Sequence, residues 1–199
     1  MTQTVTGLFD RYQDASAAVR ELEGIGIPRS DVSIVANNIV PVDADDRPSN
    51  AAADAGTGAG IGAAAGGGLG LLAGLGLMAI PGVGPVVAAG WLIATAAGAV
   101  AGAAAGGATG GIIGAMTESG VPATDANVYA EGVRRGGVLV TARVSEDRTT
   151  QARAIIQRSR SVDIATRGSA YRQAGWSKFD EAAPVYTDEQ IRRERGLYS

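Results

Sequence analysis

The chain has no cysteine and no histidine among its 199 residues. Without cysteine it forms no disulfide, offers no thiol nucleophile and binds no metal ion through thiolates. Without histidine it lacks the commonest general base and the commonest metal ligand. The residue types that remain give no convincing nucleophile–base pair, so we expect a non-enzymatic protein without a cofactor or a metal site.

Phe and Trp are also scarce, and neither sign of charge dominates. Two Phe and two Trp accompany 30 Gly, and 17 basic residues nearly balance 20 acidic ones, for a net charge of −3. Nucleic-acid-binding proteins need clustered Lys and Arg, so this balance predicts no nucleic-acid partner. The first residues show no basic segment before an apolar core, which predicts a cytoplasmic protein rather than a secreted one.

Residues 1–41 follow a strand, helix, strand pattern. Thr4–Phe9 is rich in β-forming residues, and Asp14 is a candidate N-cap for a helix whose apolar residues recur at helical spacing. Two glycines and a proline end this helix, and the apolar run Val32–Ala36 predicts the second strand. We interpret residues 1–41 as the first half of an α+β domain.

Residues 137–165 repeat that plan. A helix over Thr124–Arg135 leads into a strand at 138–144 whose alternate residues are apolar. A helix bearing Ala and Ile follows, and Val162–Ala165 is predicted to close the unit as a strand. Two such βαβ units predict a ferredoxin-like βαββαβ sandwich of the α+β class, with residues 118–170 as its second half.

A long insertion separates the two halves. Residues 42–54 are rich in Asp, Pro, Asn and Ala and predict a polar linker, and residues 55–117 carry no charge at all. In this uncharged stretch glycine recurs at every fourth position in two runs, Gly58, Gly62, Gly66, Gly70, Gly74 and Gly98, Gly102, Gly106, Gly110, Gly114. On an α-helix this spacing gathers the glycines on one face and lets another helix approach closely. The runs therefore predict two helices that pack through glycine ladders.

A turn lies between the two ladders, because Pro81, Gly82, Gly84 and Pro85 interrupt any helix. We expect a long antiparallel glycine-zipper α-hairpin with arms over Thr57–Ala79 and Val86–Met116. Ten ladder glycines cost the isolated helices on the order of 10 kcal/mol of helix propensity, so close packing or a non-aqueous environment has to offset that cost. A disordered Gly/Ala linker is the alternative.

The large apolar side chains of the insertion cluster near this turn, which carries no charge. A hairpin that crosses a bilayer brings its turn into water, so we expect the tip to be buried in a homo-oligomer or to enter one leaflet without crossing it. The predicted association surface comprises Leu69, Leu72, Leu75, Met78, Trp91 and Leu92. A second copy of the chain is the favoured partner, and a membrane is the alternative.

Residues 171–199 predict a charged, partly flexible tail. Trp176 and Phe179 are its expected anchors, and Thr187 is a candidate cap for a last helix over Asp188–Arg195.

Other patterns have plainer explanations than a binding site. Gly58–Ala63 matches a dinucleotide-binding fingerprint but lacks the preceding strand and the later acidic residue, and the ladder explains its glycines. The aspartates of the linker lack the glycine and glutamate of a calcium loop. Four arginines between 148 and 160 predict a solvated helix face, with an anionic lipid or polyanion surface as the alternative. Tyr129 is expected in the core of its helix, with partner contact as the alternative.

Five stretches of the chain resemble the bacterial general stress protein domain family (heat-induced stress protein, YflT-like). They are Val5–Asp10, Val32–Ala36, Ile80–Pro85, Tyr129–Val140 and Gly175–Asp180. The resemblance implies induction under stress and supplies no catalytic residues.

These features together predict a non-enzymatic general stress protein that self-associates through its glycine-zipper hairpin into a homo-oligomer. One alternative is a peripheral or monotopic membrane-associated stress protein that inserts the hairpin tip into a bilayer. The other is an α+β domain that senses a small ligand. Its only support is that ferredoxin-like domains sometimes bind small molecules.

Overall fold

The structure is a computed structural model that describes residues 2–37, 76–80, 82–96 and 111–198. Within these ranges an antiparallel sheet of five strands carries helices on both faces. The α+β class predicted from the sequence is therefore confirmed.

Five strands and seven α-helices lie in the described ranges. The strands are β1 (Thr2–Phe9), β2 (Val32–Asn37), β3 (Gly76–Ile80), β4 (Gly84–Ala89) and β5 (Val138–Ser145). The helices are α1 (Tyr12–Gly24), α2 (residues 91–96), α3 (Gly111–Glu118), α4 (Ala123–Arg134), α5 (Thr149–Arg158), α6 (Ile164–Gln173) and α7 (Asp188–Gly196). Short 3-10 turns over Arg29–Asp31 and Glu146–Arg148 precede β2 and α5.

The sheet has the strand order β1-β5-β2-β4-β3, and every pair of neighbours is antiparallel. β1 and β2 are joined by α1 and run parallel to each other with β5 between them, so the strand, helix, strand pattern of residues 1–41 is confirmed. The register places Thr6 opposite Thr141 and Ile34 opposite Val140. Among the strands that the structure describes, β1 and β3 are the two edges of the sheet.

One face of the sheet is covered by α1 and α5. The two helices and this face of the sheet enclose one buried apolar cluster. It contains the alternate residues of β5 that the sequence predicted to share a face: Val138, Val140, Ala142 and Val144. Leu22 of α1 and Ile155 of α5 pack into it and are fully buried. Gly7 lets α5 approach β1, because a Cβ there would lie 2.5 Å from Ile156 Cγ2.

The other face is covered by α2, α3 and α4. Leu8 and Leu139 of the sheet share one buried cluster with Leu92 of α2, Met116 of α3 and Val133 of α4. The described ends of the uncharged insertion are thus part of the domain core and not a separate appendage.

The prediction of helical arms is wrong at the tip of the insertion. The chain reverses where the sequence predicted a turn, and the Val83 N–H donates to the Ile80 carbonyl over 3.0 Å. The flanking residues nevertheless form β3 and β4, and β4 also pairs with β2. A short apolar run fits a strand as well as a helix, and β2 supplies the hydrogen-bond partners that favour the strand. In the second predicted arm, residues 91–96 and 111–116 are helical.

The strand predicted over Val162–Ala165 is also wrong, because α6 begins at Ile164. Asp163 caps this helix by accepting a hydrogen bond from the Thr166 N–H over 2.7 Å. Val162 makes a single backbone contact with the sheet, donating its N–H to the Leu8 carbonyl over 2.7 Å. The described sheet therefore lacks the fourth strand of the predicted βαββαβ sandwich.

The described part of the tail packs on the domain. Its last helix, α7, begins with the predicted Thr187 cap, which forms a capping box with Gln190. Phe179 and Ile191 are buried, and Trp176 meets the Tyr171 ring edge-on with centroids 5.9 Å apart. The anchoring role predicted for Phe179 is confirmed.

Candidate functional site

A cleft of about 600 Å³ runs along the outer edge of β1. Thr4–Gly7 lie along its floor, and α4 with the turn before it forms one wall. The opposite wall is α5, and Ser161–Ile164 close the cleft near the C-terminal end of β1.

The backbone of β1 presents hydrogen-bonding groups to this cleft. The Leu8 carbonyl accepts from the Val162 N–H, and the Thr6 carbonyl accepts from the Tyr129 hydroxyl over 3.3 Å, so both carbonyls point away from β5. N–H and C=O groups of one residue share a side in an antiparallel strand, and the side alternates along the chain. The N–H groups of Thr4 and Thr6 therefore face the cleft together with their carbonyls.

The α4 wall is polar where it meets β1. Tyr129 is 8% exposed, and its hydroxyl lies on the edge of the strand. Burial, together with the charge of Asp125, raises the pKa of Tyr129 to about 12. The phenol is thus a neutral hydrogen-bonding group at pH 7 and not a base.

The α5 wall carries a cation, whereas an anion stands on the α4 wall. Arg153 lines the cleft on α5, and among the described residues it forms no ion pair. Asp125 lines the cleft from the first turn of α4. A ligand that lies between these walls meets opposite charges on its two sides.

The groups in this cleft are suited to binding. They comprise backbone N–H and C=O groups in an extended row, hydroxyls, one carboxamide and charges of both signs. In the ranges that the structure describes, no group of three acidic side chains is arranged to hold a metal ion.

A second polar cluster lies buried beneath the tail. Glu131 of α4 is 1% exposed and accepts hydrogen bonds from Arg134 and Arg135 at 3.3 and 2.7 Å. Arg135 also binds Glu194 of α7 at 3.0 Å and lies over the Tyr171 ring. Burial alone would lower the pKa of Arg135, but the hydrogen bond and the charge of Glu131 raise it above its ordinary value.

An adjacent ion pair joins the residue that follows β1 to α6. Arg167 binds both carboxylate oxygens of Asp10, at 2.9 and 2.8 Å, and its guanidinium stacks on the Tyr198 ring. Burial raises the pKa of Tyr171 to about 12, although Arg167 and Arg135 act against this rise. The cluster is closely packed and internally paired, so we assign it a structural role.

The predicted helix-packing residues fall mostly outside the described residues. Of the ten ladder glycines only Gly114 is described, and it is buried in α3. The other nine are Gly58, Gly62, Gly66, Gly70, Gly74, Gly98, Gly102, Gly106 and Gly110. Pro81 is likewise outside, whereas Gly82 and Gly84 have positive φ in the turn and Pro85 is exposed on β4.

The predicted association surface is wrong at Trp91 and Leu92. They are 8% and 0% exposed because α2 packs on the sheet, and Ser33 Oγ accepts the Leu92 N–H over 2.9 Å. Met78 lies in β3, whereas Leu69, Leu72 and Leu75 lie outside the described residues. The apolar clustering that suggested an exposed tip reflects core positions in this part of the insertion.

The basic residues between 148 and 160 do not form one patch. Arg148 donates to the carbonyls of Ile25 and Gly26, and Arg158 pairs with Glu21. Arg153 alone lines the cleft. Sequence reasoning missed the cleft, since no local pattern shows which strand lies at the edge of a sheet.

In the described part of the chain, none of the helices combines the length and the apolar character needed to span a membrane. Comparison with known proteins finds no matching family model, no matching curated protein and no matching solved structure.

Proposed function

We propose that this protein is a non-enzymatic binding module that takes up an extended segment of another polypeptide beside β1. The observation that carries the proposal is the row of backbone groups along an edge strand that is open between two helices. An added strand would pair with Thr4 and Thr6 through main-chain hydrogen bonds, as in other cases of β-strand addition.

The composition of β1 supports this proposal. Proteins commonly protect edge strands with lysine, proline or a bulge, because unpaired edges recruit other chains. Thr2–Phe9 contains neither a charged residue nor a proline, and its pairing with β5 runs through eight consecutive residues. The edge is thus available for pairing over the stretch that Val162 leaves uncovered.

The charges of the cleft specify the segment. A two-fold pairing of β1 with β1 of a second copy would set α5 beside α5 and α4 beside α4, which gathers the Arg153 residues on one side of the joined sheet and the Asp125 residues on the other. Like charges gathered at an interface disfavour that pairing. Successive side chains of an extended segment point to opposite sides. We therefore propose a segment in which an acidic residue directed to Arg153 adjoins a basic residue directed to Asp125.

Proline at position 6 tests this proposal. The N–H of Thr6 faces the cleft, so Thr6→Pro removes a donor for the added strand and leaves the pairing with β5 intact, as edge strands tolerate. The probe is a labelled peptide, Thr-Val-Asp-Lys-Val-Thr, measured by fluorescence anisotropy. We expect the native chain to bind it and Thr6→Pro to weaken binding about tenfold.

Thr6→Val is the matched control, because it keeps the backbone N–H and should bind the peptide as the native chain does. Equal affinity for the proline and valine variants, or no binding to the native chain, would show that β1 does not accept a strand. A peptide with Val-Val in place of Asp-Lys tests the charge requirement separately.

Self-association through the glycine ladders is a second candidate function. Its support is the four-residue spacing of the glycines in the sequence, because the described ladder glycine, Gly114, is buried within the domain in α3. The resemblance to general stress proteins suggests that either function would operate under stress. Native mass with and without detergent tests this candidate, and Gly66→Leu and Gly106→Leu should reduce the assembly if the ladders form it.

A further inference from the structure

We propose that the C-terminal tail, residues 174–198, is a releasable clasp that holds the β3–β4 hairpin on the domain. The hairpin comprises β3, the turn at residues 82 and 83 and β4. It forms the edge of the sheet opposite β1, so this proposal is independent of the cleft.

The main-chain pairing of the hairpin with the rest of the sheet is limited, although its side chains Val83 and Val86 lie in the buried core. β4 pairs with β2 through four residue pairs, from Ile34 with Ala89 to Asn37 with Val86. β3 pairs with β4 and is the last strand of the sheet. Further contacts from outside the sheet therefore decide how firmly the hairpin is held.

The tail supplies such contacts at the turn. A Cβ on Gly82 would lie 2.7 Å from Glu181 Cα and 2.8 Å from the Asp180 carbonyl oxygen, so the two backbones are in direct contact. Phe179 inserts into the cluster that contains Val83, and its N–H donates to Asn127 Oδ1 over 3.2 Å. The tail thus lies on the turn and is bound to α4 at the same place.

The next part of the tail is fixed to the C-terminal end of α4. Arg134 donates to the Pro184 carbonyl over 2.7 Å, and its guanidinium lies 4.9 Å from the centroid of the Tyr186 ring. α4 packs on the core, so these contacts tie the segment that covers the turn to a rigid support.

The final helix secures the clasp. Ile191 is the single buried residue of α7, and it lies against Gly136, where a Cβ would overlap its side chain. Arg195 donates to the Gly136 carbonyl over 3.0 Å, and Glu194 accepts from Arg135. The remaining face of α7 is largely exposed.

These contacts make the clasp releasable. A short helix with one buried apolar side chain, next to a connection without regular structure from 174 to 187, belongs to the least stable part of a fold. When α7 leaves Gly136, the segment over Gly82 loses one of its two supports. The hairpin is then held by its pairing with β2 and by its side chains in the core, and we expect it to open more often while β1, β5 and α1 stay folded.

Hydrogen exchange of the full-length chain tests the clasp. Ile191→Asp places a charge at a buried position and should undock α7. Leu197→Asp is the matched control, because Leu197 is 67% exposed at the end of the same helix. We expect the amides of β3 and β4 to exchange about tenfold faster or more in Ile191→Asp, while those of β1, β5 and α1 are unchanged. The control should behave as the native chain does.

Two results would overturn the proposal. If the amides of α7 lose protection and those of β3 and β4 keep it, the tail does not hold the hairpin. If the amides of β1, β5 and α1 accelerate equally, the tail stabilises the whole domain and is not a local clasp. If the amides of α7 stay protected in Ile191→Asp, hydrogen exchange is measured on the double variant Ile191→Asp with Tyr186→Ala. The same two results would then overturn the proposal.

Discussion

Glu131 and Arg135 form an ion pair in the interior of the domain, with Glu131 Oε1 2.7 Å from Arg135 Nε. They lie one turn apart on α4, and their side chains are 1% and 10% exposed. Arg134 approaches the other carboxylate oxygen at 3.3 Å. One buried carboxylate thus compensates two guanidinium groups at the point where the tail crosses α4.

Removal of this carboxylate should be costly. Glu131→Ala leaves two partly buried arginines without their main counter-charge, and we expect a loss of about 3–5 kcal/mol in the free energy of unfolding. Asp188→Ala is the control, since it breaks an exposed pair with Arg192 and should cost under about 1 kcal/mol. Urea unfolding of both variants measures the difference. Equal losses would mean that the buried pair adds no more stability than an exposed one.

Two helical glycines should respond to alanine in opposite directions. Gly132 of α4 faces Leu8, and a Cβ there would lie 2.5 Å from Cδ2 of this fully buried side chain. Gly132→Ala should therefore destabilise the chain by about 1–3 kcal/mol despite the better helix propensity of alanine. Gly24 ends α1 with open space around it, so Gly24→Ala should be neutral or stabilise by up to about 1 kcal/mol.

Thermal or urea unfolding of both glycine variants is the measurement, and Leu8→Ala supplies the cross-check. If the close approach to Leu8 is the cause, Gly132→Ala should cost less in the Leu8→Ala background. An undiminished cost there would place the strain elsewhere on α4.

The stability of the domain should fall at alkaline pH. Burial raises the pKa of Tyr129 to about 12, whereas the pKa of a tyrosine in the unfolded chain is about 10. The folded state therefore holds this proton more tightly, and the resulting stability is fully present below about pH 10 and is lost as the pH rises towards 12. Tyr171, whose pKa burial also raises to about 12, acts in the same direction.

Urea unfolding between pH 9 and 11 measures this effect. The slope of stability against pH should be smaller in Tyr129→Phe than in the native chain, because this variant has one buried phenol fewer. The variant also loses the hydrogen bond to the Thr6 carbonyl, worth about 1 kcal/mol, so it should be less stable at pH 8. An identical slope in both proteins would show that Tyr129 titrates normally.

Elements with a strong local signal were predictable from the sequence. Alternation marked β5, helical spacing marked α1 and α5, and Thr187 marked the start of α7. Each of these signals lies within a few neighbouring residues. The wrong predictions, helical arms at the tip and a strand over Val162–Ala165, concern segments that depend on distant partners: β3 and β4 on the pairing of β4 with β2, and Val162 on a hydrogen bond to Leu8.

The candidate site was largely beyond sequence reasoning for the same reason. Tyr129 drew notice as a core residue with partner contact as the alternative, but its hydroxyl reaches the edge of a strand 123 positions away in the chain. From the sequence, Glu131 would be taken for an ordinary exposed helix residue. Arginines follow it at the third and fourth positions, which is the spacing of an ion pair on one helix face. Which strand forms the edge follows only from the complete sheet.

The last prediction concerns Leu92, which the sequence assigned to an exposed association surface. Leu92 is fully buried among the helices on one face of the sheet, and its N–H is bound by Ser33 Oγ. Leu92→Ala should therefore cost about 2–5 kcal/mol, and Leu92→Glu should cost more because it buries an unpaired charge. A surface leucine would give the opposite outcome, since glutamate would then raise solubility and leave the unfolding transition in place. Circular dichroism during urea unfolding separates the two. If Leu92→Glu keeps the native transition and forms a smaller species, α2 does not pack on the sheet, and the uncharged insertion is an appendage.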